Sequence, residues 1–342
     1  MIFNGQKFEE VLFETPSAPK VEVDLAVFVV GWESRSRTFI EMGNISGKKC
    51  LVFSFKDDGI SDGRRSKFYD LAAAQFEDVV AIELPEATDR IGWQSHIEKL
   101  FKSFENTNGN SCFVDYTSLP KAVAQTLYRF LLVDQSFCQS HWGYLEGVYP
   151  KEFLGPQYLQ GLKEPFFPIR HTPGTGGISE KQALIVSIGA DEHIIFDLLE
   201  TRSYDAVAVM HSDSNLSPAL EDSRKSTVAR LCREYSVADE LILQSSASSV
   251  NDAINNYITL IKKIPREYSV DIFCCGTKSH AVAACAVAER FKKTVSLLGR
   301  IPNQYTRNDI KPSGRGSISS MTDFTNPNVS GLLQSDAQPS GM

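Results

Sequence analysis

The residues of this sequence best suited to bind an anion lie in short polar segments that directly follow apolar runs. The first segment, GWESRSR (residues 31–37), supplies one carboxylate, two hydroxyls and two guanidinium groups. Serine and arginine side chains beside the free backbone N–H groups at the start of a helix can hold a phosphate. We therefore predict that Ser34, Arg35 and Arg37 bind a ligand. The alternative is a capped helix start with solvated arginines.

The second polar segment, DYTSLPK (residues 115–121), also follows an apolar run and leads into an amphipathic stretch. Proline suits the first turn of a helix, so the polar residues before it lie on the turn between strand and helix. Capping of that helix would account for one hydroxyl, but not for an aspartate, two hydroxyls and a lysine together. We predict ligand binding by Asp115, Thr117, Ser118 and Lys121.

The third polar segment is CCGTKSH (residues 274–280), which precedes an alanine-rich helical stretch. A glycine permits close approach of the backbone, and the residues after it supply donors for an anion at a helix N-terminus. The predicted ligand-binding residues here are Gly276, Thr277, Lys278 and Ser279. His280 ends the segment and is a candidate general acid or base.

These segments recur because the chain contains a repeat. The apolar run 25–30 has a counterpart in 183–188, at an offset of 158 residues. The tripeptide AVA at 122–124 recurs at 281–283, at an offset of 159. Ordered matches at nearly one offset indicate an internal duplication, which decides the architecture.

The hydrophobic pattern of both halves predicts the order β-α-β-α-β-α-β-α-β. Short apolar or β-branched runs predict strands, and stretches with a period of 3.6 residues predict helices between them. Strands joined by helical crossovers pair in parallel, so we predict an α/β fold of two tandem Rossmann-like parallel-sheet domains. The predicted strands are 23–30, 50–55, 79–84, 111–114, 141–148, 183–188, 206–210, 240–244, 270–274 and 294–298.

Composition sets the expected domain boundaries. Repeat one takes residues 1–150 and repeat two takes residues 183–311, while proline and glycine mark 151–182 as a linker. From residue 312 the chain is rich in Gly, Ser, Asn and Pro, which predicts a disordered tail over 312–342.

Charge and length exclude several classes of partner. The 342 residues carry 35 Lys and Arg against 42 Asp and Glu, a net charge of -7, which is the wrong sign for coating extended nucleic acid. Apolar runs stay far below the ~20 residues of a membrane-spanning helix, and the first twenty residues carry no apolar signal-peptide core. A small anionic nucleotide at a local site is still allowed.

The cysteines indicate a reducing compartment. There are seven, an odd number, in apolar surroundings and without a CxxC pair. This pattern favours reduced thiols in the cytoplasm over disulfides or a structural zinc site. We predict no metal site and no cofactor.

The polar segments carry a family resemblance. Asp115, Thr117 and Lys121 fit the [DN]-x-[ST]-x-x-x-[RK] signature that follows strand four in CRISPR-associated Rossmann-fold (CARF) domains, and GTK at 276–278 looks like a variant of it. Two such halves in one chain resemble the SAVED arrangement, in which tandem CARF-like units sense cyclic oligonucleotides in antiviral signalling. The resemblance covers the topology of about residues 20–305. In repeat two, Ile272 and Cys274 stand where the signature has Asp or Asn and Ser or Thr.

The resemblance implies a non-enzymatic sensor of a cyclic oligonucleotide in prokaryotic antiviral defence. Because no effector domain is visible, the signal would pass to a separate effector protein or through a homo-oligomer. The halves could divide the labour, since Asp191 and Glu192 of repeat two replace the arginines of repeat one and would repel a phosphate.

Two alternatives remain open at this stage. The first is an enzyme that cleaves a nucleotide, a phosphodiesterase of the ring-nuclease kind or a nucleosidase, with Glu33, Asp115 or His280 as general acid or base. The second is an interaction scaffold of a defence complex, in which the polar segments only cap helices.

Overall fold

The structure is a computed structural model in which most of the chain can be described. The described residues are 2–3, 6–56, 58–102, 111–134, 137–148, 162–169, 180–189, 193–213, 218–291, 293–303, 305 and 309–323. They form two compact units. The first unit draws on Met1–Leu119, Leu127–Leu145 and Gly314–Met342, and the second on Pro120–Thr126 and Glu146–Ser313.

Strands and helices alternate along most of the chain. The strands are β1 (Ile2–Phe3), β2 (Gln6–Glu14), β3 (Val21–Val29), β4 (Ile45–Phe55), β5 (Phe76–Leu84), β6 (Ser111–Asp115), β7 (Gln139–Val148), β8 (Leu162–Ile169), β9 (Lys181–Ile188), β10 (Ala206–Ser212), β11 (Ile242–Ser245), β12 (Tyr268–Cys274), β13 (Val295–Pro302) and β14 (Lys311–Asp323).

The helices fill the predicted crossovers. They are α1 (Thr38–Met42), α2 (Asp62–Ala73), α3 (Arg90–Lys102), α4 (Lys121–Tyr128), α5 (His193–Thr201), α6 (Pro218–Tyr235), α7 (Val250–Lys263) and α8 (Lys278–Arg290). A 3-10 turn at Ser34–Arg37 precedes α1, and a π-helical turn at Arg129–Asp134 follows α4.

Both sheets share one topology, which confirms the predicted fold class. In the first sheet the order is β1-β2-β14-β7-β6-β3-β4-β5, and the five strands from β7 to β5 pair in parallel. In the second it is β11-β10-β9-β12-β13-β8, with the five strands from β11 to β13 parallel. When the parallel strands are numbered in chain order within each repeat, the strand order of both cores is 3-2-1-4-5. All ten predicted strands are present.

Continuous apolar runs explain why these strands are central. Parallel strands are covered by helices on both faces, so almost every side chain is buried. In β3, Ala26 to Val29 are all at most 1% exposed. Phe28 packs against Phe76 and Phe113 at ring-centroid distances of 6.0 and 5.6 Å, in the core of the first unit. In the second unit β9 fills the same place, with Leu184, Val186 and Ile188 in the core.

Two antiparallel strands depart from the prediction. β8 lies inside the predicted linker 151–182 and pairs antiparallel with β13. β14 lies inside the predicted disordered tail and pairs antiparallel with β2 over nine residues. The tail prediction is therefore wrong for 312–323, and the linker prediction is wrong for 162–169. Residues 324–342 and the segment 171–179 lie outside the described residues.

The composition of β14 misled the prediction because small residues are what its place requires. A Cβ on Gly316 would come within 2.6 Å of the Phe13 ring, and Ser317 is completely buried. The Ser319 hydroxyl donates to the Glu10 carboxylate at 2.6 Å. Small polar residues thus allow close packing while the antiparallel ladder satisfies the backbone.

These two antiparallel strands are exchanged relative to their order in the chain. β8 follows β7, the last parallel strand of the first sheet, but joins the second sheet. β14 follows β13, the last parallel strand of the second sheet, but joins the first sheet beside β7. Among the described helices, none is long and apolar enough to cross a membrane.

Removing a buried side chain from β14 should weaken the first unit. Ile318 is 2% exposed and belongs to that core, so Ile318→Ala should lower the free energy of unfolding by about 3 kcal/mol. The control is Leu12→Ala on β2, a residue 63% exposed, which should change it by less than about 0.5 kcal/mol. Urea unfolding measures both, and equal effects would show that β14 contributes no core contact.

Candidate ligand site at the carboxyl ends of the strands

Strand order reverses at the first strand of each parallel core, and ligands of open α/β sheets bind in the crevice at that point. In the first unit the crevice lies between the loops that follow β3 and β6. The two loops touch, because a Cβ on Gly31 would come within 2.9 Å of the Ser118 Cβ. Glycine is therefore required at the end of the first strand.

Arg35 is buried in this crevice of the first unit. Its side chain is 1% exposed, its Nε donates to the Glu33 carboxylate at 2.8 Å, and a terminal nitrogen donates to the Leu145 carbonyl at 3.0 Å. The guanidinium also lies 5.8 Å from the Tyr144 ring centroid. Arg35 thus binds the protein's own carboxylate and backbone.

The neighbours of Arg35 are more accessible. Ser34 and Ser118 are partly exposed, and the Ser118 hydroxyl donates to the Glu33 carboxylate at 3.2 Å. Arg37 is 27% exposed and lies 3.7 Å from the Glu41 carboxylate. The Glu33 carboxylate, 13% exposed, is therefore held between a buried guanidinium and a hydroxyl.

Arg64 is a residue of this crevice that the sequence prediction missed. From α2 its guanidinium donates to the carbonyls of Trp32 and Glu33, at 3.0 and 2.9 Å. It therefore fixes the path of the loop after β3. The pair of arginines early in α2, directly after the second strand, was the available signal.

Asp115 and Thr117 are buried and shape the loop after β6. The Asp115 carboxylate accepts from the Thr117 backbone N–H at 2.9 Å, and the Thr117 hydroxyl accepts from the Leu145 N–H at 3.1 Å. They are 1% and 0% exposed. Both side chains of the signature are thus engaged by the protein's own backbone.

The strand pairings set the register between the repeats. Val27 pairs with Val114, and its counterpart Ile185 pairs with Ile272. Asp115 therefore corresponds to Phe273 and Thr117 to Cys275, one residue later than the sequence comparison had placed them. In the same register, Gly276 stands where repeat one has Ser118.

In the second unit, too, only glycine fits where the loops after the first and fourth strands meet. A Cβ on Gly189, after β9, would come within 2.6 Å of the Cys275 carbonyl oxygen. A Cβ on Gly276, after β12, would clash with the Ser187 hydroxyl and lie 2.7 Å from the His280 Nδ1. The turn after β12 can follow this path only with glycine at 276. Asp191 and Glu192 lie outside the described residues.

The turn after β12 presents two partly exposed polar residues, Thr277 and Lys278. Thr277 is the N-cap of α8, and its hydroxyl accepts from the His280 backbone N–H at 3.3 Å. Ser279 is completely buried, and its hydroxyl donates to the Ser248 carbonyl at 3.1 Å. Of the residues predicted here, Thr277 and Lys278 are thus the ones that a ligand can reach.

Lys121 belongs by packing to the second unit. Its ammonium donates to the Cys275 carbonyl at 2.9 Å, directly before Gly276. Burial raises the pKa of the Cys274 thiol to about 11, while the Tyr257 hydrogen bond and the Lys121 charge act to lower it. The structure therefore brings together Lys121 and the predicted residues 276–279.

His280 is completely buried near the carboxyl ends of β9, β11 and β12. Its Nε2 lies 3.0 Å from the Ser246 carbonyl, and its Nδ1 lies 2.8 Å from the Ser187 hydroxyl. A carbonyl only accepts, so we assign the proton to Nε2 and let Nδ1 accept from Ser187. Burial, as the main cause, lowers the pKa of His280 to about 4, so it is neutral at pH 7.

A serine-rich segment, Ser245–Ser249, also lines the carboxyl edge of the second sheet and was missed by the sequence prediction. It connects β11 to α7, whose N-cap is Ser249. The Asp252 carboxylate accepts from the Ser245 hydroxyl at 2.8 Å and the Ser246 N–H at 2.7 Å. The Asp213 carboxylate accepts from the Ala247 N–H at 3.0 Å. The signal was the string SSASS between a predicted strand and helix.

Arg224, Lys121 and His211 act electrostatically on the histidines at this edge of the sheet. Arg224 of α6 is 3% exposed. The pKa of His211, partly exposed at the end of β10, is lowered first by burial and second by the positive charge of Arg224. Lys121 and His211 both act to lower the pKa of His280. Carboxylates act in the opposite direction, since Asp213 raises the pKa of His211 and Asp252 raises that of His280.

The described residues contain no group of three or more His, Cys, Asp or Glu side chains arranged to hold a metal ion.

No family model matches the chain. No curated protein matches it either. The crystal structure of the cytoplasmic domain of a prokaryotic cation chloride cotransporter is 10% identical, covers 82% of this chain and 96% of its own, and has a TM-score of 0.27. The adenylation, ketoreductase and pseudo Asub multidomain structure of a keto acid-selecting NRPS module is 8% identical over 85% of this chain and 34% of its own, with a TM-score of 0.19. Likeness at this level supports no inference about function.

A side chain at residue 276 should destabilise the second unit. Gly276→Ala should lower the free energy of unfolding by about 2–3 kcal/mol, because the new methyl group overlaps Ser187 and His280. The control is Gly63→Ala in α2, where nothing lies within 4 Å of the new Cβ and stability should rise by about 0.5 kcal/mol. Thermal unfolding of both variants tests this, and a harmless Gly276→Ala would contradict the packing described here.

Neutralising Glu33 should destabilise the first unit. In Glu33→Gln the buried Arg35 guanidinium loses its carboxylate, which should cost about 2 kcal/mol. Glu41→Gln removes the longer, more exposed partner of Arg37 and should cost less than about 0.5 kcal/mol. Urea unfolding at pH 7 compares them, and similar losses would mean that the Glu33–Arg35 pair is not a buried one.

Proposed function

We propose that the chain binds a small anionic nucleotide, and that the second unit provides the phosphate site at the carboxyl edge of its sheet. The observation that carries this proposal is the position of Lys121, whose ammonium donates to the Cys275 carbonyl in the turn after the fourth strand. The partly exposed Thr277 and Lys278 follow in the same turn.

The geometry suits a phosphate for three reasons. The turn lies at the reversal of strand order, where open parallel sheets bind ligands. It opens α8, a helix of 13 residues whose N-terminus favours negative charge. Two lysines add charge-assisted hydrogen bonds, which are about twice as strong as neutral ones.

The first unit is a weaker phosphate site because its polar groups are already used. Arg35 binds Glu33 and the Leu145 carbonyl, and the Thr117 hydroxyl accepts from the Leu145 N–H. A phosphate would have to displace these buried bonds. We therefore assign the phosphate site to the second unit and a structural role to these residues of the first unit.

Within this proposal the ligand is a cyclic oligonucleotide messenger, and the chain is a sensor in antiviral defence that acts on a separate effector. The support for this narrower statement is the strand-four signature of Asp115, Thr117 and Lys121 and the duplicated 3-2-1-4-5 sheet. Sensors of this kind change the equilibrium between two states by binding one of them more tightly.

One observation favours a second candidate, an enzyme that cleaves its nucleotide. The Glu33 carboxylate is partly exposed at the end of a first strand and is oriented by Arg35 and Ser118, as a general acid or base must be. Recovery of the nucleotide after long incubation decides between the two. Cleavage products that vanish in Glu33→Gln would favour the enzyme, and an intact nucleotide would favour the sensor.

The proposed site predicts a graded loss of binding. Lys121→Ala and Lys278→Ala should each weaken binding about tenfold to hundredfold, since each removes a charged hydrogen bond. Lys262→Ala is the matched control, an exposed lysine in the last turn of α7, far along the helix from Ser249. It should leave the affinity unchanged.

The measurement is calorimetric titration with cyclic di-, tri- and tetra-adenylate, linear tri-adenylate and inorganic pyrophosphate. Binding of a cyclic compound that both variants weaken supports the proposal. No binding by any of the five, or equal affinities for Lys121→Ala and Lys262→Ala, would overturn it.

A further inference from the structure

His280 links three parts of the second unit that the ligand site depends on. Its Nε2 donates to the carbonyl of Ser246, after β11, and its Nδ1 accepts from Ser187, in β9. Its own backbone N–H is held by the Thr277 hydroxyl in the turn after β12. One imidazole thus bridges the ends of three strands.

Further contacts hold the same segments together around His280. Ser279, the residue before His280, donates to the Ser248 carbonyl. Two successive side chains of α8 therefore hydrogen-bond to the segment Ser245–Ser249. Gly276 is required because any side chain there would meet both Ser187 and His280. The Tyr257 hydroxyl continues the network to the Cys274 thiol at 3.3 Å.

We infer that His280 is a positioning residue, whose imidazole holds the segment Ser245–Ser249 against the turn that carries Thr277 and Lys278, and that acid releases this segment. The inference rests on the proposed function in one respect only, that the segment borders the nucleotide site. His280 itself is completely buried.

Charged and titratable groups face His280 from four other elements of the second unit. They are Lys121 of α4, His211 of β10, Asp252 and Tyr257 of α7, and Cys274 of β12. Lys121 and His211 oppose a proton on His280, and Asp252 favours one. The main cause is burial, which lowers the pKa of His280 to about 4.

The direction of the pH effect follows from that depressed pKa. When the segment is released and the imidazole reaches water, its pKa returns toward about 6.5. The released form therefore binds the proton more tightly, and a fall in pH from about 6.5 toward 4 favours release. A proton on Nδ1 also removes the hydrogen bond that Nδ1 accepts from Ser187.

Hydrogen exchange of the ligand-free protein tests the inference. Protection factors of the amides in Ser245–Ser249 should fall about twentyfold from pH 7 to pH 5. In His280→Gln, whose amide can still donate to the Ser246 carbonyl, protection at pH 7 should be largely kept and the fall should disappear. In His280→Leu, which has no donor, protection should be low at both pH values.

The matched control is His141→Gln. His141 of the first unit is partly buried, with a pKa that burial lowers to about 4, and its Nδ1 lies 2.7 Å from the Ser320 hydroxyl. Its replacement should leave the exchange of Ser245–Ser249 and its pH dependence unchanged. If His280→Leu does not fold, the wild type and His280→Gln still decide the question.

Binding of the tightest cyclic adenylate should weaken about tenfold in His280→Leu at pH 7 and recover in His280→Gln. Protection that does not change with pH in the wild type, or that is normal in His280→Leu, would overturn the inference. If no cyclic adenylate binds, the proposed function fails, while the exchange data still decide whether His280 positions the segment.

Discussion

In each unit two loops must pass so close together that only glycine fits at their contact. The constraint arises where the parallel order reverses, because the chain leaves the first strand to one side and the fourth strand to the other. Gly31 meets Ser118 in the first unit, and Gly189 meets the Cys275 carbonyl in the second. This contact leaves little space between the loops after the first and fourth strands. It therefore limits which side chains can fit there.

The repeats satisfy the same constraint with different chemistry. The first unit fills the space with charge, since the buried Arg35 is neutralised by Glu33 and tied to the backbone at Leu145. The second unit fills it with a neutral network around His280 and keeps its cations, such as Lys121, nearer the surface. A buried ion pair stabilises one arrangement of its surroundings, whereas a neutral network stabilises the same edge without a buried charge. Duplication followed by such divergence would account for one binding repeat and one supporting repeat.

The sequence predicted the parallel cores well because parallel strands read as continuous apolar runs, as in β3 and β9. It failed at β14, since a strand of small polar residues has no pattern of its own and depends on β2, about 300 residues earlier in the chain. The edge that carries the candidate residues was predictable, because Lys121, Thr277 and Lys278 follow apolar runs and the carboxyl ends of parallel strands lie at one edge of a sheet. Their burial was not. Arg35 and Thr117 read as exposed ligands, yet partners distant in sequence, above all Leu145, turn them inward.

The exchange of strands β8 and β14 determines how this chain can be divided. A break between residues 148 and 162 would separate β1–β7 from β8–β14, so the N-terminal piece would lack β14, a strand of its own sheet. The C-terminal piece would in turn lack residues 120–126, including Lys121, which pack with the second unit. Each piece therefore holds something the other needs, and the two pieces could reassemble only as a pair. The duplicated halves are therefore two units whose chain segments interleave, and neither half of the sequence contains all of its own unit.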